Sequence, residues 1–280
     1  MIKKIALVFV CFFPLAHVNA QLTMAKETAH IVKEGKLLYH SEMASWHGTD
    51  IFVEKFKDKT ANIGGYFSYP DNDSYKCLFF SKGENPKVIG SVTFDKTYTL
   101  DKAISEAQER DFTDEERTYY EIRKLALKQI NTDTLYKKYN NTSLNLIPII
   151  NEEEKKVYVV TGPKNHGTVI IGNDYLLTFD KENKLVEQKR LHKNIIPLNY
   201  AEQGKTTTTV HSHLPETGYF ITPTDICTLM LYGKFANWKQ HYVISAKYIC
   251  IWDFEKNDLL TLTKEAWERI AKDQKERKKN

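Results

Sequence analysis

The stretch Thr209-Val210-His211-Ser212-His213-Leu214-Pro215, followed by Ile221-Thr222-Pro223-Thr224-Asp225-Ile226, indicates both a local fold and a chemistry. Its first part is typical of a β-strand, in which residues two apart point to the same face. His211 and His213 can therefore offer both imidazoles to one metal ion. Thr222 then predicts the start of a helix, with Asp225 at its third position.

This spacing predicts a metal site. A carboxylate at Asp225 can complete a set of three ligands with a fourth position open to water, which is the arrangement of catalytic zinc. Zinc lowers the pKa of such a water to about 7 and makes it a nucleophile. The alternative is that Asp225 only stabilises a helix N-terminus and that the histidine pair is coincidental, in which case the chain is a purely structural module.

The same order of residues resembles the JAB/JAMM (MPN-like) metallopeptidase superfamily, whose motif is His-x-His, about seven residues and Ser-x-x-Asp. Here eight residues separate His213 from Thr222. The resemblance covers residues 157–262 and is to compact bacterial JAB-like domains. It implies that His211, His213 and Asp225 are zinc ligands. It also implies that Thr222, in place of the serine, stabilises the oxyanion of the tetrahedral intermediate.

The chain departs from the family at the catalytic base. Active members carry an upstream glutamate that holds the metal-bound water and shuttles its proton. At the matching place this chain has Asn165-His166, before a strand-like run at 167–172. Three interpretations stay open: His166 is the base, since imidazole can act as one near neutral pH; Glu187 or Glu216 reaches in from elsewhere; or the site binds metal without hydrolysis.

Two functions follow from the resemblance. The first is an exported protein with a JAB-like domain that hydrolyses a peptide or protein substrate as a zinc-dependent peptidase or isopeptidase. The second is a non-catalytic envelope or secreted protein that uses a degenerate JAB-like scaffold for binding. The sequence is compatible with either function and so leaves enzymatic activity open.

Residues 1–20 are typical of a secretory signal peptide. Lys3 and Lys4 precede an apolar run of about eleven residues, and Ala20 supplies a small residue before a cleavage site at Gln21. This run is shorter than the roughly 20 apolar residues of a membrane span. The sequence thus predicts a periplasmic or secreted protein without an integral membrane segment after cleavage.

Charge argues against a nucleic-acid partner. The formal net charge of the chain is +4, and it includes the two lysines of the predicted signal peptide. A nearly neutral mature chain lacks the basic surface that phosphate contacts require.

The rest of the chain predicts an α+β fold with a boundary near residue 150. In residues 21–150, helical patterns at 25–38 and 46–56 precede a small antiparallel meander at 65–69, 75–81 and 88–94. Thr113 and Glu116 then form a capping box that opens a further helix. In residues 151–280, strand-like runs predict a mixed sheet flanked by the Thr222 helix and by a terminal helix that starts near Thr263.

Two further histidines, one tryptophan and three cysteines also have predicted roles. His192 is a further candidate ligand, although a lone histidine is more often exposed. His241 is expected to begin a strand and to donate a hydrogen bond there. Trp46 can line a pocket or anchor a core, and the core is favoured. Cys77, Cys227 and Cys250 have apolar neighbours and are expected to be buried and free, with a Cys227–Cys250 disulfide as the alternative.

Overall fold

The computed structural model describes residues 13–152, 154–200 and 208–278, with side chains described from residue 21 onward. Most of the predicted signal peptide lies outside these residues, and its cleavage stays a prediction. Within the described part of the chain, no helix has both the length and the apolar character needed to cross a membrane.

The fold is α+β, as the sequence predicts. The described residues form four helices, α1 (Phe13–Lys55), α2 (Asp114–Thr132), α3 (Pro223–Tyr232) and α4 (Lys264–Arg277), with 3₁₀ turns at Lys57–Asn62 and Leu100–Lys102. The strands are β1 (Ile63–Asp71), β2 (Ser74–Ser81), β3 (Val88–Phe94), β4 (Ile104–Glu106), β5 (Thr142–Ile150), β6 (Lys155–Pro163), β7 (Thr168–Gly172), β8 (Tyr175–Phe179), β9 (Leu185–Arg190), β10 (Ile195–Asn199), β11 (Thr208–Ser212), β12 (Gln240–Ile244), β13 (Tyr248–Asp253) and β14 (Asp258–Thr263).

Helix α1 is one continuous helix of 43 residues, so the prediction of two separate helices is wrong. Its interior glycines mark close contacts rather than breaks. A Cβ at Gly48 would lie 2.7 Å from the Cβ of Cys77 in β2, so only glycine lets α1 come this close to the sheet.

Strands β1 to β4 form the predicted antiparallel meander, with the short β4 as an addition. Helix α1 packs on it through aromatic side chains, and the rings of Phe52 and Phe79 stack with their centroids 4.1 Å apart. The capping box of α2 is confirmed, because Thr113 accepts from the backbone N–H of Glu116 and Glu116 accepts from that of Thr113.

The segment that the sequence places at a boundary, residues 140–154, contains β5. This strand pairs with β6 along its whole length, from Thr142 opposite Pro163 to Ile150 opposite Lys155. The second sheet has the order β5-β6-β8-β9. Helix α2 covers it with the apolar side chains of Ile122, Ala126 and Ile130, which pack against residues of β6 and β8.

The third sheet, β11-β12-β13-β14, is mixed, because β11 runs parallel to β12 while the other pairs are antiparallel. Helix α3 packs against this sheet and against β7, which pairs with β10. Helix α4 has no buried residue, and its Trp267 ring lies edge-on to Tyr242 at 5.9 Å. The predicted mixed sheet with two flanking helices is therefore present.

The three described cysteines, Cys77, Cys227 and Cys250, are buried and free. The alternative of a disulfide is wrong. Burial raises the pKa of the Cys77 thiol to about 12, which keeps it protonated and unreactive.

The contact between α1 and α3 predicts the effect of Gly35→Ala. A Cβ at Gly35 would lie 2.7 Å from the Cβ of Ile226 and 3.1 Å from the carbonyl oxygen of Pro223, so the two helices would have to move apart. We expect the variant to lose about 1–3 kcal/mol of unfolding free energy in chemical denaturation. A rise of about 1 kcal/mol, as the helix propensity of alanine alone would give, would contradict this packing.

Candidate metal centre

Strand β11 presents His211 and His213 to the interior of the protein. Both side chains are buried, whereas Ser212 between them is exposed, so the predicted alternation of the strand is confirmed. The pairing with β12 continues past the end of β11, because the backbone N–H of His213 donates to the carbonyl oxygen of Ile244 at 2.9 Å. The backbone of His213 is thus as firmly held as that of His211.

The first turn of α3 positions Asp225. Thr222 is the N-cap residue, and its hydroxyl accepts from the backbone N–H of Asp225. In return, Oδ2 of Asp225 accepts from the backbone N–H of Thr222 at 2.9 Å and from its hydroxyl at 2.8 Å. This capping box fixes the carboxylate and leaves Oδ1 of Asp225 buried without a hydrogen-bond partner.

His192, in the segment after β9, joins the site. It is buried rather than exposed, so the favoured interpretation of a lone surface histidine is wrong. Its Nε2 lies 3.0 Å from Nε2 of His213 and 3.6 Å from Oδ2 of Asp225. No strand or helix pattern marks this position in the sequence, and its proximity to the other ligands comes from the tertiary fold.

Four potential ligand atoms therefore converge from three separate parts of the chain. The ligand atoms of His192, His211, His213 and Asp225 all lie within 4.8 Å of one another. Nε2 of His211 lies 3.0 Å from Nε2 of His213 and 3.6 Å from Oδ1 of Asp225. The side chains of all four residues are at most 8% exposed. This buried group could hold a metal ion.

The outer hydrogen bonds orient two of the imidazole rings. Nδ1 of His192 lies 2.7 Å from Oδ1 of Asp174, and since a carboxylate only accepts, this nitrogen carries the proton. Asp174 in turn accepts from the hydroxyl of Thr224 in α3. The neutral form of His192 therefore directs the lone pair of Nε2 into the cluster, as metal-binding histidines with an outer carboxylate do.

A second chain of hydrogen bonds runs behind His211. Its Nδ1 lies 2.7 Å from Nε2 of His241, and Nδ1 of His241 lies 2.7 Å from the hydroxyl of Thr209. If His211 donates to His241, the Nε2 lone pair of His211 is also free for a metal. The sequence predicts that His241 begins a strand, but β12 begins one residue earlier, at Gln240, and the ring of His241 contacts both His211 and Thr209.

The protonation states of the clustered residues determine which charge a bound cation would balance. Burial opposes protonation of His192, but Asp174 and Asp225 outweigh it and raise the pKa of His192 to about 9. Burial lowers the pKa of His211 to about 4. Burial also opposes ionisation of Asp225, but the neighbouring histidines outweigh it and hold the pKa of Asp225 well below its usual range. In the metal-free protein His192 is therefore protonated near neutral pH. A divalent ion that displaced this proton would balance the two negative charges of Asp174 and Asp225.

The candidate bases of the sequence analysis lie elsewhere. His166 is an exposed residue of the loop between β6 and β7 and lines a different cavity. Glu187 and Glu216 are also exposed. Among the described residues, the carboxylates within ion-pair distance of the clustered histidines are Asp174 and Asp225. The structure thus brings together the three predicted ligands and Thr222, and it does not bring His166 to them.

The contacts of Thr222 predict a capping role for its hydroxyl. We expect Thr222→Ala to lower the unfolding free energy of the metal-free protein by about 1 kcal/mol, because the first turn of α3 loses its cap. Thr222→Ser retains the hydroxyl and should keep most of the wild-type stability in the same denaturation experiment. Equal losses in both variants would show that the methyl group, rather than the cap, matters.

The hydrogen bond from His192 to Asp174 predicts the effect of Asp174→Asn. With Zn²⁺ as the probe ion, the variant should bind with about 10–100-fold lower affinity and unchanged stoichiometry, because the outer carboxylate makes His192 a better ligand. Competition with a chromophoric chelator measures this. Asp73→Asn, which changes a fully exposed carboxylate, is the matched control, and equal affinities of the two variants would contradict the prediction.

Comparison with known proteins identifies no relative that could assign the site. No protein-family model, no curated protein and no solved structure matches the chain. The geometry of the cluster is therefore the evidence that bears on its function.

Proposed function

We propose that this protein binds one zinc ion through His192, His211, His213 and Asp225, and that the ion stabilises the fold rather than catalysing a hydrolysis. The observation that carries this proposal is the convergence of four buried ligand atoms within 4.8 Å. Three imidazole nitrogens and one carboxylate oxygen are a donor set that zinc takes in four-coordinate sites. Zinc also binds nitrogen ligands more tightly than magnesium or calcium, which prefer oxygen ligands.

The number of protein ligands favours a closed site. Catalytic zinc keeps one position for water or substrate, whereas structural zinc has four protein ligands. The resemblance to JAB/JAMM peptidases supplies three ligands, and Nε2 of His192 lies where it can serve as a fourth, 3.0 Å from Nε2 of His213. The burial of all four side chains also argues against direct access by a peptide chain.

The positions of the other predicted catalytic residues support the same conclusion. The hydroxyl of Thr222 is bonded to Asp225 and so is engaged in holding a ligand. His166 is exposed on a loop that contributes no ligand. We therefore favour the non-catalytic protein on a JAB-like scaffold over the zinc-dependent peptidase, which would need His192 to leave the site.

Such an ion would join parts of the chain that are distant in sequence. It would connect the end of β11, the first turn of α3 and the segment after β9, each of which contributes at least one ligand. Because an assembled site does not exist in the unfolded chain, the binding free energy of the metal adds to the stability of the fold.

Metal content tests the proposal directly. We expect elemental analysis of the purified protein to find close to one zinc per chain, and none in the His211→Ala/His213→Ala double variant. His166→Ala replaces an exposed histidine outside the cluster and should retain the metal of the wild type. Absence of metal from the wild-type protein, even after zinc is added back and excess is removed, would refute the proposal.

The role of His192 separates the closed site from a catalytic one. We expect His192→Ala to bind zinc more weakly and to melt at a lower temperature than the zinc-loaded wild type, because one ligand is lost. Neither protein should cleave a panel of peptide and isopeptide substrates. Zinc-dependent hydrolysis by the wild type, abolished in the double variant, would instead establish the peptidase.

A further inference from the structure

A second feature, independent of the metal centre, is a cavity of about 440 Å³ where the meander, the second sheet and α3 meet. Its walls come from α1, from β1 and β5, from the loop between β6 and β7, and from the end of α3. None of the four metal-binding residues lines it. Its volume lies in the range of about 300–1,000 Å³ found for sites that bind small molecules.

One face of α1 forms a polar, acidic wall. The residues on it recur at the spacing of a single helix face, and they are Glu42, Ser45, Trp46, Thr49 and Asp50. Ser45 is buried and Glu42 is half-buried, whereas Asp50 is exposed, so Glu42 carries the less exposed of the two carboxyl groups. Core packing alone does not account for such a composition.

Glu42 has a hydrogen-bond partner but no countercharge. Its Oε2 accepts from the side-chain amide of Asn145 in β5 at 2.8 Å. None of the ion pairs formed by the described residues includes Glu42. Burial raises the pKa of Glu42 to about 7, against the hydrogen bond from Asn145. An ionised Glu42 without a neighbouring cation destabilises the folded protein. A cationic ligand beside Glu42 would therefore stabilise it.

Aromatic rings form the other part of the wall. Trp46, Tyr66 and Phe235 line the cavity although they are 44%, 37% and 62% exposed. The rings of Trp46 and Phe235 lie 6.3 Å apart and come from α1 and from the turn that follows α3. The interpretation of Trp46 as a core anchor is therefore wrong. Exposed aromatic faces beside a carboxylate are the surroundings that organic cations prefer.

We propose that this cavity binds an organic ammonium ion, with Glu42 as its counter-ion and with Trp46, Tyr66 and Phe235 as aromatic walls. The attraction has two parts, a charge-assisted hydrogen bond to the carboxylate and the interaction of the cation with the ring faces. The basic residues of the lining, Lys164 and His166, are exposed and form no ion pair with Glu42 or Asp50 among the described residues. They leave the charge of Glu42 available.

A matched pair of probes isolates the charge. Phenethylamine is a cation with an aromatic ring, and phenethyl alcohol has the same size and shape without the charge. Isothermal titration calorimetry at about pH 8, above the pKa of Glu42, measures both. We expect the wild-type protein to bind the amine at least about tenfold more tightly than the alcohol, since a tenfold ratio is on the scale of one cation–π contact or charge-assisted hydrogen bond.

Variants assign the binding to this cavity. Glu42→Gln should weaken amine binding about tenfold or more and leave alcohol binding unchanged, because only the charge is lost. Trp46→Ala should weaken both, and Asp73→Asn, at a fully exposed carboxylate, should change neither. A melting curve for each variant verifies folding.

Three results would overturn the proposal: equal affinity for the amine and the alcohol, amine binding by Glu42→Gln that matches the wild type, or no heat of binding from either probe up to its solubility limit. Since the cavity shares no residue with the metal ligands, these outcomes do not depend on whether the protein binds zinc.

Discussion

The burial of two carboxylates beside a set of imidazole nitrogens is the constraint on which this structure depends. An ionised carboxylate away from water is costly unless it is paired. Asp174 and Asp225 are both buried, and each has a neighbouring imidazole within 3.6 Å. A divalent ion among neutral rings would satisfy both charges together with the unpartnered Oδ1 of Asp225. The hydrogen bonds behind His192 and His211 hold the rings in the orientation that such an ion requires.

The same geometry bears on catalysis. A helix that starts with a capping box holds its third residue firmly, and here that residue is the candidate ligand Asp225. The candidate ligands from β11 and α3 alone, His211, His213 and Asp225, would leave a fourth coordination position open, as in a hydrolytic zinc site. The chain after β9 places His192 beside that position, with Asp174 behind it. A fourth ligand at His192 would distinguish the proposed zinc site from a hydrolytic site with three protein ligands.

Helix α1 connects the metal centre to the rest of the molecule. It runs against the meander and against α3, and it also contributes to the cavity through Glu42. Gly35 lets it approach α3 next to Ile226, the residue that follows Asp225. A displacement of α1 would therefore be transmitted to the first turn of α3. Helix α1 thus both lines the cavity and packs against the helix that carries Asp225.

The sequence by itself determined the elements whose patterns are local: the three strands of the meander, the capping box at Thr113, the helix start at Thr222, and the candidate ligands His211, His213 and Asp225. Strand alternation and helix capping depend on residues a few positions apart, and such patterns can be read from the chain. The continuity of α1 through residues 39–45, between the two predicted helices, could not be predicted, because Ser41 and Ser45 there are held by hydrogen bonds to Ser68 of β1. Only the tertiary structure brings His192 beside the three candidate ligands and places Glu42 in one cavity with aromatic rings. Both follow from packing between segments far apart in sequence, and no local pattern records which distant side chains a fold brings within a few ångströms.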